Sequence, residues 1–165
     1  MVDEVHEGGC GCGSVRYRVE GEPIYVNNCH CTLCQHQTGS TSVVNAFFET
    51  ERVTLLSGEL TSHIVKAGSG SPHEIMRCAA CGTALWSFYP RVGRLGTGLR
   101  VGTLDNPAAF RPDAIIFISE AMPWVALPEG IPAFERTYDP HQIIPPERVT
   151  RFTALAQRAA ENRNK

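Results

Sequence analysis

The chain opens on alternation. Residues 14 to 19, Ser-Val-Arg-Tyr-Arg-Val, place polar and apolar side chains in turn, and Gly21 and Pro23 close the run, which predicts a strand with one wet face. The same reading predicts strands over 42–49, 53–56, 62–66, 74–77, 84–88, 99–102 and 114–119. Ser57-Gly58-Glu59 and Gly68-Ser69-Gly70-Ser71-Pro72 supply turn chemistry between them, so hairpins are the expected connections. Regular structure before residue 120 is therefore expected to be almost wholly β. Six prolines between Pro123 and Pro146 withhold too many backbone donors for a regular ladder or helix, and predict an extended strap across the surface. After Pro145-Pro146 the period changes: Val149, Phe152, Leu155, Ala156 and Ala159 recur at helical spacing, predicting one amphipathic C-terminal helix.

Composition narrows the class. The 165 residues are 42% hydrophobic, enough for one domain with a core and too few for two comfortable ones. We expect residues 1–140 to form the β domain and 141–165 a helical extension packed on it or trailing from it. Fifteen Lys+Arg against seventeen Asp+Glu give a net charge of -2, so there is no cationic excess for phosphates or anionic lipid. Nucleic acid and membrane surfaces are not expected partners; the oligomeric state is left open. The longest purely apolar run, Ala114 to Ile118, is far shorter than the roughly twenty residues of a membrane span. The acidic start, Met-Val-Asp-Glu, does not look like a signal peptide, and a cytoplasmic location is expected.

In that compartment seven cysteines are not expected to form a disulfide framework. They fall in three clusters: Cys10-Gly-Cys12, Cys29-His-Cys31-Thr-Leu-Cys34 and Cys78-Ala-Ala-Cys81-Gly82. Thiolates one to three residues apart can face one cation, and a sulfur-only set points first to zinc and second to an iron-sulfur centre. Because zinc prefers four ligands, seven sulfurs divide as four plus three. Cys29, Cys31 and Cys34 lie on one short segment and would leave a fourth corner open for chemistry. Cys10, Cys12, Cys78 and Cys81 would close a second, structural site. Spacing alone also allows another trio, or His30 or His36 in the open corner; His30, between two ligands, is expected to be exposed or to sit behind them.

Three thiolates on a zinc leave a net charge of -1, which polarises water less than three neutral histidines do. Such a metal is better suited to accept a further thiol and hold it as a nucleophile for a carbonyl carbon. An anionic thiol would need local cations, and Arg91, Arg94 and Arg100, interleaved with glycines after the last cysteine cluster, are the candidates for its carboxylates. The competing function is a binding or scaffold domain in which both metals only staple the fold.

Four segments carry a resemblance: Gly9-Cys10-Gly-Cys12-Gly13-Ser-Val15-Arg-Tyr17, Cys29-His30-Cys31-Thr-Leu-Cys34 followed by Thr38-Gly39-Ser40, Cys78-Ala-Ala-Cys81-Gly82-Thr83-Ala-Leu85, and Gly102-Thr103-Leu104-Asp105-Asn-Pro107. Over residues 9 to 120 the chain resembles the glutathione-dependent formaldehyde-activating enzyme (GFA) family, which includes proteins related to centromere protein V. The resemblance implies a β-tent of twisted antiparallel sheets folded over zinc-bearing hairpins. It implies two zinc ions per chain: a structural one on Cys10, Cys12, Cys78 and Cys81, and a catalytic one on Cys29, Cys31 and Cys34. It also implies a carbon-sulfur lyase running in reverse, joining glutathione to formaldehyde as S-hydroxymethylglutathione. The chain departs from the family pattern at Gln35, where many relatives have a basic residue, and at Arg77, where an aromatic is frequent.

Overall fold

The computed structural model describes residues 4–67 and 70–163. Gly68 and Ser69 of one expected turn, and the first three residues of the acidic start, lie outside the described residues. The chain is mostly β. A three-stranded antiparallel sheet is built from β1 (Val5–Gly9), β2 (Arg16–Glu20) and β5 (Val53–Ser57), in the order β1-β2-β5. A larger sheet of eight strands contains β3 (Tyr25–Cys29), β4 (Val43–Glu49), β6 (Leu60–Lys66), β7 (Pro72–Cys78), β8 (Ala84–Phe88), β9 (Gly96–Arg100), β10 (Ala114–Ile116) and β11 (Ala133–Phe134). Its order is β11-β10-β3-β4-β9-β8-β7-β6. Two helices complete the described structure, α1 (Thr32–Thr38) and α2 (Pro146–Arg163), with short 3-10 turns between strands.

Alternation explains the small sheet. Tyr17 and Val19 of β2 are fully buried while Arg16, Arg18 and Glu20 stand toward solvent, so the pleat feeds one face into the core. That core also takes Ala46 and Phe48 from β4, Leu85 and Trp86 from β8 and Leu99 from β9, and so lies between the two sheets. Gly8 is required by the closeness of this packing: a Cβ there would stand 2.5 Å from both the Tyr17 hydroxyl and the Thr103 carbonyl. Arg16 ties the layers at the rim, donating to both Asp105 carboxylate oxygens at 2.8 and 2.5 Å.

β4 is covered on both faces, and its other face positions the functional residues. Val43, Asn45 and Phe47 point away from the core of Ala46 and Phe48. Phe47 meets α2, stacking on Tyr25 at 4.8 Å and taking the edge of Phe152 at 5.8 Å. Leu155 and Ala159 of α2 close this second cluster with Ile24 and Val92. The helix is also clamped electrostatically, through Arg148 on Asp113 at 2.7 Å and Arg151 on Glu49 at 2.5 Å.

Four expectations are corrected. β1, β3 and α1 are additional elements. Ser57-Gly58-Glu59 does not close a hairpin: β5 pairs with β2 and β6 with β7, so this turn carries the chain from one sheet to the other. The large sheet is not antiparallel throughout, because β10 pairs in parallel with β3 and β11. The proline strap does contribute a ladder, two residues long. Its prolines lack donors but not acceptors, and the Pro132 carbonyl accepts from Ile115 N–H at 2.8 Å. Among the described residues no helix is long and apolar enough to cross a membrane.

Candidate metal centres and their surroundings

The seven cysteines separate into two groups, and within each the sulfurs all lie within 4.8 Å of one another: Cys10, Cys12, Cys78 and Cys81, and Cys29, Cys31 and Cys34. Among the described residues there is no disulfide.

The four-sulfur group is made by two turns of the same design. Cys10 N–H donates to the Val15 carbonyl at 3.1 Å, and Cys78 N–H donates to Thr83 at 3.0 Å. Inside each turn a glycine donates back to the first cysteine, Gly13 to Cys10 at 3.1 Å and Gly82 to Cys78 at 2.9 Å. Both glycines have left-handed φ, 78° and 75°, which a residue with a Cβ adopts only under strain. One turn precedes β2 of the small sheet and the other follows β7 of the large one, so the sulfurs join the two layers. Their spacing, 3.4 Å for Cys10–Cys12 and 3.9 Å for Cys12–Cys78, is close to the roughly 3.8 Å edge of a tetrahedral zinc-thiolate site. Hydrogen bonding from the Thr83 hydroxyl, 3.1 Å from its sulfur, helps draw the Cys81 thiol down to about 7.

The three-sulfur group is local. Cys29 ends β3, Cys31 is the N-cap of α1, and Cys34 sits in the first turn, donating its N–H to the Cys31 sulfur at 3.4 Å. The expected loop is thus a strand end joined to a helix start, and the helix ends at Gly39 in left-handed conformation. Cys29 and Cys34 are buried and Cys31 partly so. Hydrogen bonds from Cys29 and Cys34 drive the Cys31 thiol well down, and the same sharing drives Cys29 up. Three sulfurs within 4.8 Å of one another, two of them buried, form a set that a soft divalent cation fits. Among the described residues no histidine, carboxylate or further cysteine joins them as a fourth ligand.

Neighbouring residues hold this segment in place. Glu120 accepts from both Thr32 N–H at 2.6 Å and the Thr32 hydroxyl at 2.7 Å, capping the first turn. Gln35 donates to the His30 carbonyl at 2.6 Å and the Glu120 carbonyl at 3.0 Å. Phe117, packed against the cysteines, has a left-handed φ of 59°, a strained conformation for an aromatic residue beside a candidate site.

His30 is not exposed: it is buried, and neither ring nitrogen has a hydrogen-bond partner. Desolvation lowers its pKa, which favours the neutral ring. His36 lies exposed on α1 and does not join the sulfurs.

The three candidate arginines part company. Arg91 lies over the Phe152 ring at 4.9 Å. Arg94 is paired with Glu74 through bonds of 2.9 and 2.5 Å. Arg100, at the end of β9, is 3% exposed and sits among neutral acceptors: Asn45 Oδ1, Gln37 Oε1 at 2.5 Å and Ser87 Oγ at 2.7 Å. Desolvation, followed by the charge of Arg100, pushes His73 down to about 4. His73 also packs on Tyr89 at 4.6 Å. Gln37, Asn45, Ser87, His73 and Tyr89 were missed from the sequence. They come from four separated segments: strand register puts Asn45, Ser87 and His73 on the face that carries Val43, Tyr89 follows β8 and packs on His73, and Gln37 reaches Arg100 from α1.

Fold and site together define a β protein with two cysteine clusters of metal-ligand geometry, one with four sulfurs and one with three. Comparison with known proteins makes this specific. The family described as "Glutathione-dependent formaldehyde-activating enzyme" matches residues 5–120, and the chain belongs to that family. A protein of Halomonas elongata (strain ATCC 33173 / DSM 2581 / NBRC 15536 / NCIMB 2198 / 1H9), bearing the name "Putative glutathione-dependent formaldehyde-activating enzyme", is 32% identical over 127 residues, 73% of this chain and 80% of its own. A crystal structure of a Rhodobacter sphaeroides protein aligns with 60% of this chain and 87% of its own, at TM-score 0.46 and 21% identity.

Proposed function

We propose that the chain is a zinc-dependent enzyme of the carbon-sulfur lyase type, adding a thiol such as glutathione to formaldehyde or a related small aldehyde. Cys29, Cys31 and Cys34 would hold the catalytic zinc and Cys10, Cys12, Cys78 and Cys81 the structural one. The observation that carries this reading is the inequality of the two groups: four sulfurs complete a zinc shell, whereas three with no fourth ligand among the described residues leave a place for a substrate sulfur. Family membership and the name of the Halomonas relative support the choice of thiol and aldehyde.

When bound, zinc on three thiolates would supply the positive charge that keeps an incoming thiol ionised near neutral pH. The protein's own groups do the rest. Arg100, a buried cation with no carboxylate partner among the described residues, offsets the negative charge of the sulfur cluster, and Gln37, Asn45 and Ser87 hold it there. Neutral His30 and His73 add no charge that would compete with it. The reaction balances simply: the substrate sulfur bonds to the aldehyde carbon, the carbonyl π pair moves to oxygen, and the proton lost by the thiol is regained there as the product hydroxyl.

The test is exchange NMR of formaldehyde with glutathione, since the two also combine spontaneously. Zinc-loaded protein should raise the exchange rate above the uncatalysed one, and Cys31→Ser should return it to background while the β fold persists. A loaded wild-type protein that leaves the rate unchanged would favour the scaffold reading.

A further inference from the structure

α1 and the turn that carries Cys81 face each other across a cavity of about 1000 Å³, and one side chain joins them. Arg77 donates from one guanidinium nitrogen to the Gln37 carbonyl at 3.0 Å and from the other to the Gly82 carbonyl at 2.9 Å. Gln37 belongs to the helix that carries Cys34, and Gly82 closes the turn that carries Cys78 and Cys81. Among the described residues Arg77 alone hydrogen-bonds to both. The two cysteine groups are thus bridged by a side chain that is not itself a ligand.

The sheet aims this side chain. β7 and β8 slip register beside it: Met76 lies opposite Trp86 and Arg77 opposite Ala84, so Leu85 is an extra residue on β8. A bulge of this kind bends the ladder and re-aims the side chains around it. The helix, for its part, needs outside support. With seven residues, about two turns, α1 is too short to be stable alone. Glu120 holds its first turn. Arg77 holds its last, where carbonyls lack helical donors and a cation is favoured. From that last turn the Thr38 hydroxyl donates to the Cys34 carbonyl at 3.0 Å, and the Gln37 side chain accepts from Arg100 at 2.5 Å. At the other end of the bridge, Gly82 N–H donates to the Cys78 carbonyl at 2.9 Å. The Gly82 carbonyl therefore stays within reach of Arg77 only while the four-sulfur turn is closed.

We propose that Arg77 is a positioning residue that couples the two metal centres. With a metal closing the four-sulfur turn, Arg77 fixes the last turn of α1 and strengthens the grip of Cys29, Cys31 and Cys34 on their own metal. The coupling rests on both groups holding metal, and is independent of the thiol-plus-aldehyde reaction.

Graded removal of zinc from the doubly loaded protein with EDTA tests it without any substrate. The three-sulfur zinc, with fewer protein ligands, should leave first, and it is identified as the step missing from Cys31→Ser. In Arg77→Met, which keeps the length of the stem and removes both hydrogen bonds, that first zinc should be held about tenfold less tightly. Amide hydrogen exchange of α1 should rise in the same variant, while that of β4 and β9 stays as in the wild type. Arg77→Gln, with a polar tip too short to span the two carbonyls, should behave alike and serves where Arg77→Met does not fold. Arg158→Gln, which removes an exposed arginine of α2 facing Glu51, should leave both steps unchanged. A first step unmoved by loss of Arg77, with only the second zinc weakened, would show that this arginine serves its own turn alone and overturns the proposal. A failed formaldehyde assay beside a weakened first step leaves the coupling standing and removes the reaction.

Discussion

At the scale of single residues, burial decides which groups near the cysteines carry charge. His73 is 2% exposed, and its pKa lies near 4, against 6.5 for a free side chain. Between those values the unfolded chain binds a proton that the native state refuses, so stability rises with pH across this window and is lost as pH falls from about 6.5 toward 4. Up to about 3 kcal/mol is at stake. His73→Phe keeps a ring against Tyr89 and removes the titration; its urea midpoint should fall less than the wild-type one between pH 7 and 4.5. Parallel losses in the two proteins would show that His73 is protonated in the fold. Arg100 teaches a related lesson about reading sequence. Its glycine-rich surroundings carry no mark of burial, yet it ends a strand whose every residue is buried. Nothing local in Leu-Arg-Val distinguishes an exposed arginine from one bound by Asn45, Gln37 and Ser87.

At the scale of elements, strands with clean alternation were legible and those that depart from it were not. β1 reads Val-His-Glu-Gly-Gly, where the glycine that close packing on Tyr17 requires also erases the strand pattern. β3 contains Asn27 and Asn28, poor strand formers; Asn27 is retained there as acceptor for the Tyr138 hydroxyl at 2.8 Å. α1 is seven residues long, too short for a helical period to stand out, and its marks were a capping cysteine and a terminal glycine. The paired cysteine turns were more readable, because their glycines are demanded by geometry. Gly82→Ala tests that demand alone, since a Cβ at this position meets no atom within 4 Å. We expect a loss of about 1 kcal/mol from the left-handed backbone, measured by denaturant unfolding of the zinc-loaded protein. An unchanged midpoint would mean that the turn relaxes without cost.

At the scale of the whole molecule, the division of seven sulfurs into four and three was open to spacing and chemistry, whereas the surrounding acceptors, arginines and cavity appear only once the sheet is assembled. The two groups differ in what they connect. The four sulfurs join turns belonging to different sheets, and the three belong to one strand-helix junction. Damage to the first should loosen the contact between layers, and damage to the second should spare it. The measurement that bears most directly on this division is the absorption spectrum of the cobalt-substituted protein during titration with glutathione. Thiolate-to-cobalt charge transfer should grow by one ligand per chain in the wild type and stay constant in Cys31→Ser. A wild-type spectrum that glutathione leaves unmoved, with both cobalt ions already four-coordinate, would contradict the central claim that the three-cysteine site receives its fourth sulfur from the substrate.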